Sequence, residues 1–65
     1  METVGEILKK TREFKNLKLS DVSNDLKISK DILLNFENNN PRDDIASVFL
    51  IGHLRSYCSY LNLNY

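Results

Sequence analysis

The sequence predicts an all-α fold, a compact four- to five-helix domain containing a repressor-like helix-turn-helix. Apolar residues recur at helical spacing, residues that cap helices start the segments, and only two glycines and one proline interrupt them. The composition, 42% hydrophobic and 28% charged, is that of an ordinary globular protein. Because a chain of 65 residues is long enough for one domain only, residues 1–65 are expected to form a single unit.

The first helix is predicted to begin at Thr3, since Thr3 and Glu6 have the spacing of a capping box. Apolar residues then follow at the spacing of one helix face, while charged residues fill the other faces. The positions predicted to face the core are Val4, Ile7, Leu8 and Phe14. The segment is therefore an amphipathic helix of about 12 residues.

A helix-turn-helix is predicted across residues 19–37, where two short helices are separated by a turn of about three residues. Ser20 is the expected N-cap of the first of these helices, and Ser29 is that of the second. Ser23 is the small residue where the two helices cross. Lys27 lies at a turn position where glycine is common, and if a positive φ is needed there, Lys27 bears a strain of about 1 kcal/mol.

A longer fourth helix is predicted over about residues 43–61. Asp43 and Asp44 lie at its N-terminus, where acidic side chains interact favourably with the helix dipole. Leu63 and Tyr65 indicate one more short turn packed beneath the domain.

The fourth helix carries two apolar stripes, whereas a helix lying on a three-helix core needs only one. One stripe holds Ile51, Leu54, Cys58 and Leu61, and the other holds Ala46, Leu50, His53 and Tyr57, with Tyr60 at its edge. Part of this surface is therefore expected to stay accessible and to bind another protein. The alternative is that the core buries one stripe and the C-terminal residues bury the other.

A DNA-binding role would use the second helix of the helix-turn-helix, whose start and outward face must meet base edges and phosphates. Ser29, Lys30 and Asn35 would be the contact residues. The formal net charge is zero, from nine basic and nine acidic residues, and Asp31 and Leu34 lie on the same face. DNA is therefore the less favoured partner, because phosphate binding normally requires a basic excess.

The residue types argue against catalysis and against a bound metal or cofactor. His53 is the sole histidine and has no Cys or Asp at ligand spacing, so neither a metal site nor an enzyme is expected. Cys58 has no partner for an internal disulfide, which indicates a core residue in a reducing cytosol. No segment reaches the roughly 20 apolar residues that a bilayer requires, and the chain itself is not expected to contact a membrane.

Two stretches of the chain resemble the RodZ family, bacterial cell-shape proteins with a cytoplasmic N-terminal helix-turn-helix domain. The first stretch is Val4-Gly5-Glu6 with Leu8 and Arg12-Glu13, and the second, more specific one covers residues 44–63. With the helix-turn-helix between them, they cover nearly the whole chain. The resemblance implies a five-helix domain on the cytoplasmic side of a single-pass inner-membrane protein. The chain would then be a cytoplasmic fragment that ends before a basic segment and a membrane span.

The partner that the resemblance implies is MreB, an actin-like filament protein docked by the fourth helix. The family's contact positions fall on His53 and Tyr57, in the second apolar stripe, and Tyr57 is expected to dominate the binding energy. His53 stands where the family usually has Phe or Tyr, a difference that would weaken or re-tune the contact. Ile51 stands where Arg is common, so an ion pair at that position is not expected here.

Overall fold

The computed structural model describes residues 2–63, which form four α-helices and no strand. The helices are α1 (Val4–Phe14), α2 (Leu19–Leu26), α3 (Lys30–Glu37) and α4 (Ser47–Tyr60). The predicted all-α class is confirmed, and α2 and α3 together span residues 19–37, the range predicted for the helix-turn-helix. None of these helices is long and apolar enough to cross a membrane.

The N-caps of α1 and α2 are set by two different side chains. The Thr3 hydroxyl accepts a hydrogen bond from the Glu6 amide at 3.2 Å, so the predicted cap of α1 is confirmed. The predicted cap of α2, Ser20, is wrong. The chain enters α2 at Lys18, whose amide donates to the Asp21 carboxylate at 3.1 Å. An acidic residue in the first turn can reach back to the capping residue in this way, and Ser20 is already helical.

The turn between α2 and α3 is closed by side-chain hydrogen bonds. The Ser23 hydroxyl donates to the Ile28 carbonyl, which ties α2 to the turn that precedes α3. Lys27 adopts the left-handed conformation, with a φ of 59°. The Ser29 hydroxyl accepts from the Asp31 amide at 3.2 Å, and this confirms the predicted cap of α3.

Helix α4 begins at Ser47, so the predicted start at Asp43 is wrong by four residues. Arg42 and Asp44 supply the physical reason, because Arg42 Nε and Nη2 donate to the two Asp44 carboxylate oxygens at 3.0 and 2.6 Å. Side chains two residues apart do not face each other on a helix, so this pairing fits a bend instead. With 14 residues, α4 is about 21 Å long.

One cluster of apolar side chains forms the core. Its buried members are Leu8, Val22, Ile28, Leu33, Phe36, Tyr57, Cys58 and Leu61. Leu63 packs against this cluster and is partly buried, whereas Tyr65 lies outside the described residues. The prediction that Val4, Ile7 and Phe14 face the core is wrong, since their exposed fractions are 56%, 39% and 86%.

The orientation of α1 about its own axis follows from its close contact with the end of α3. A Cβ atom added to Gly5 would lie 2.4 Å from the Glu37 carbonyl oxygen, so only glycine permits this approach. Asn39 holds the two backbones together: its side-chain oxygen accepts from the Gly5 amide at 3.0 Å, and its side-chain nitrogen donates to the Thr3 hydroxyl at 2.7 Å. The face that carries Gly5 and Leu8 is therefore buried, and the neighbouring apolar face of α1 is turned outward.

Candidate functional site

Tyr57 does not belong to an accessible surface. Its side chain has no exposed area, and its hydroxyl donates a hydrogen bond to the Glu37 carboxylate. A partner cannot contact a fully buried side chain, so the prediction that Tyr57 is an exposed binding residue is wrong. Helical periodicity identified the stripe to which Tyr57 belongs, but it could not tell which part of that stripe the core would cover.

A buried polar network holds Tyr57 in this position. Arg12 Nε and Nη2 donate to the two Glu37 oxygens at 2.7 and 3.2 Å, and Arg12 Nη1 donates to the Leu17 carbonyl at 2.9 Å. Burial, together with the hydrogen bond to Glu37, raises the pKa of the Tyr57 phenol well above its ordinary value. Sequence reasoning missed Glu37, because its partners lie 25 and 20 residues away and no local spacing marks it.

The other four predicted contact residues keep some exposed surface. Ala46 is exposed, while Leu50 and His53 are half-buried. Tyr60 is also half-buried, and its hydroxyl donates to the Asp25 carboxylate on α2, a bond that raises the pKa of the phenol. Ala46, Leu50 and His53 therefore remain available on the first two turns of α4.

The two predicted stripes merge into one broad buried face in the C-terminal half of α4. Tyr57 comes from one stripe and Cys58 and Leu61 from the other, yet all three are buried in the same core. Both stripes are buried in this half of the helix, as in the alternative expectation, but that expectation assigned one of the stripes to the C-terminal residues. The covering residues are those of the core, contributed by α1, α2, α3 and the turn between α2 and α3.

The surplus apolar surface lies in the N-terminal half of α4. Val48 is 71% exposed, Phe49 63% and Ile51 46%, and no charged residue occurs between Asp44 and Arg55. Clusters of exposed apolar side chains without charge are typical of protein-binding surfaces. We call this region the α4 surface; it comprises Ala46, Val48, Phe49, Leu50, Ile51 and His53. Sequence reasoning missed Val48 and Phe49 as contact residues, although the nearly unbroken apolar run over residues 45–52 was a signal.

An open apolar groove adjoins the α4 surface, between α4, the start of α1 and the connection that precedes α4. Its volume is about 350 Å³, and it is lined by Val4, Phe36, Asn39, Pro41, Ser47, Leu50, Ile51 and Leu54. The Asn39 side chain already bonds Gly5 and Thr3, so the groove offers mainly aliphatic and aromatic contacts. It is suited to an apolar side chain of a partner.

The residues named for DNA contact are only partly available. Lys30 is exposed at the start of α3, but the Ser29 hydroxyl is engaged as the N-cap and Asn35 is half-buried. Asp31 is exposed directly after Lys30, so the first turn of α3 presents one positive and one negative charge.

Cys58 is buried, and burial raises the pKa of its thiol, so the reactive thiolate is disfavoured. Within residues 2–63, no group of three or more His, Cys, Asp or Glu side chains is arranged to hold a metal ion.

The chain is similar to known helix-turn-helix proteins over nearly its whole length. A family model described as a helix-turn-helix domain matches residues 7–65. An uncharacterized protein of Haemophilus influenzae is 38% identical over 60 residues, which cover 91% of this chain and 20% of that protein. The chain thus spans about a fifth of the length of this relative, and no solved structure gives a significant match. By the extent of the family match, the chain belongs to the helix-turn-helix domain family.

Proposed function

We propose that this domain is a non-enzymatic protein-binding module that docks its partner through the α4 surface. The observation that carries the proposal is the exposure of Val48 and Phe49, 71% and 63%, in a helical segment without charge. Covering such a side chain contributes about 1.5–3 kcal/mol. A partner that covers both would therefore gain a large part of its binding energy here.

The α4 surface has two sides, which face different directions around the helix. Ala46, Phe49 and His53 follow one another at helical spacing on one side. Ile51 lies on the other side, at the rim of the apolar groove. A partner helix or loop with an apolar ridge would pack over the side that carries Phe49.

The partner that we propose is the actin-like protein MreB, on the basis of the resemblance to the RodZ family. Of the two contact positions that the resemblance implies, His53 is half-buried and lies beside Phe49, whereas Tyr57 serves the core. We assign the aromatic anchor to Phe49 instead. In this proposal the domain belongs to the cytoplasmic part of a longer membrane protein and links the filament to the membrane in cell-shape control.

The test is a calorimetric titration of purified MreB into the 65-residue chain and two matched variants. Phe49→Ala should lower the affinity about 30-fold, because losing a central interfacial aromatic side chain costs about 2 kcal/mol or more. Phe14→Ala is the control, since Phe14 is 86% exposed on α1, away from the α4 surface. Equal affinities for both variants, with unchanged helical content by circular dichroism, would reject the assigned surface.

DNA binding is the second candidate function, favoured by the family and by the exposed Lys30 at the start of α3. This function predicts that the chain binds DNA in a fluorescence-anisotropy titration and that the affinity falls steeply with salt. Lys30→Ala and Asn35→Ala should each lower that affinity. If DNA binding of this kind is found and Phe49→Ala leaves it intact, α3 and not the α4 surface is the functional site.

A further inference from the structure

The net charge of the chain is zero, but basic and acidic residues are distributed unevenly along the sequence. Residues 9–18 contain five of the nine basic residues and one of the nine acidic ones, so this segment carries +4 and the remainder −4. Charge asymmetry of this kind indicates an anionic partner. Arg12 is neutralised by its buried ion pair with Glu37. The exposed cations of the segment are Lys9, Lys10, Lys15 and Lys18.

Helix α1, whose second half belongs to this segment, carries an outward-facing apolar stripe. Val4, Ile7 and Phe14 fall within an arc of about 80° on the helix, and their exposed fractions are 56%, 39% and 86%. Lys10 lies about 40° beyond one edge of this arc and Lys15 about 20° beyond the other. An apolar stripe flanked by lysines is the pattern of a helix that lies in a lipid–water interface.

We propose that this face of α1 binds an anionic lipid surface, with Phe14 inserted among the headgroups and the flanking lysines against the phosphates. The Lys10–Glu2 ion pair does not prevent this, because both side chains are largely exposed and such pairs are weak. Glu13 lies about 100° from Phe14 around the helix and so points away from the lipid.

A lipid surface fits this face better than a nucleic acid does. Aliphatic Val4 and Ile7 gain nothing from phosphates, whereas both lose water on contact with acyl chains. Val4 lines the apolar groove, whereas Ile7 and Phe14 lie outside it, so this part of the stripe is suited to a flat surface. The expectation that the chain does not contact a membrane rested on the lack of a span, which surface binding does not require.

The test is sedimentation of the 65-residue chain with lipid vesicles. Binding is expected to phosphatidylcholine vesicles that contain about 30% phosphatidylglycerol, but not to pure phosphatidylcholine, and it should be lost in ~0.5 M salt. Phe14→Ala should lower the partition coefficient about tenfold, and Lys15→Gln about fivefold. Both side chains are exposed, so neither change should alter the helical content measured by circular dichroism.

Two control variants separate this surface from the rest of the molecule. Lys30→Gln makes the same charge change on α3, and Phe49→Ala removes an exposed phenylalanine from α4; each should change the partition coefficient less than about twofold. The proposal is overturned if the unaltered chain does not sediment with anionic vesicles, or if Lys30→Gln weakens binding as much as Lys15→Gln. Binding to DNA without binding to vesicles would also overturn it and assign the patch to nucleic acid.

Discussion

The hydroxyl of Tyr57 on α4 donates a hydrogen bond to the carboxylate of Glu37 at the end of α3, and Arg12 on α1 donates to the same carboxylate at 2.7 Å. One buried acid therefore joins three helices. Its Oε2 atom accepts from both partners and its Oε1 atom accepts from Arg12 alone. Because these groups have little access to water, each would be left without a replacement partner if the network were broken.

Replacing Tyr57 with phenylalanine should destabilise the domain while preserving its fold. The ring still fills the core, but the Glu37 carboxylate loses a donor, at a cost of about 1–3 kcal/mol. Urea unfolding followed by circular dichroism measures this loss. Tyr60→Phe is the control, because its hydrogen bond to Asp25 is exposed and water can replace the hydroxyl. Equal losses in the two variants would contradict the importance of the buried network.

The Arg12–Glu37 pair should show strong coupling in a double-mutant cycle. Glu37→Leu leaves the guanidinium of Arg12, whose side chain is 13% exposed, without its counter-charge, and we expect a loss of about 3 kcal/mol or more. Adding Arg12→Met should recover part of that loss, which gives a coupling energy of about 2 kcal/mol. The exposed Lys10–Glu2 pair should give a coupling energy below about 0.5 kcal/mol in the same measurement. If the stability lost in the double variant equals the sum of the losses in the two single variants, Arg12 and Glu37 are not coupled.

The two glycines should respond to alanine in opposite directions. In Gly5→Ala the new methyl group would meet the Glu37 and Phe36 carbonyl oxygens at 2.4 and 2.6 Å, so α1 must move and about 1–3 kcal/mol of stability is lost. In Gly52→Ala the methyl group meets nothing within 4 Å, and the better helix propensity of alanine should stabilise α4 by up to about 1 kcal/mol. Thermal unfolding of both variants measures these changes in stability. A Gly5→Ala protein as stable as the unaltered chain would refute the close contact between α1 and the end of α3.

The stability of the domain should fall as the pH rises above 10. Burial and the hydrogen bond to Glu37 raise the pKa of Tyr57 from an ordinary value of 10.0, so above that pH the unfolded chain loses the phenol proton while the folded chain keeps it. The unfolded state then binds fewer protons, and the free energy of unfolding decreases by up to about 1.4 kcal/mol per pH unit. Below pH 10 this group contributes no slope.

Urea titrations on both sides of pH 10 measure this effect. Tyr57→Phe should lose a large part of the slope and retain the parts due to Tyr60, whose pKa is raised by its bond to Asp25, and to Cys58, whose pKa is raised by burial. An undiminished slope in Tyr57→Phe would assign the alkaline transition to other groups.

The largest differences between expectation and structure concern aromatic residues. Phe14 was expected in the core and is 86% exposed, whereas Tyr57 was expected on the surface and is fully buried. Both lie on apolar helix faces that were correctly recognised from their spacing. A helical repeat defines an apolar face but not the neighbour that covers it. Which face is buried depends here on the contacts of Gly5 and Glu37 with residues distant in the sequence.

The sequence by itself determined the helix-turn-helix, the all-α class and the caps at Thr3 and Ser29. The caps depend on residues within one helical turn of each other and the helices on a repeat over a few turns, so a local pattern contains the information needed. Only the tertiary structure decided that Tyr57 lies inward and that Val48 and Phe49 remain exposed. Those outcomes depend on a polar network whose members lie 20 and 25 residues apart, and on which helix faces remain once the core is filled.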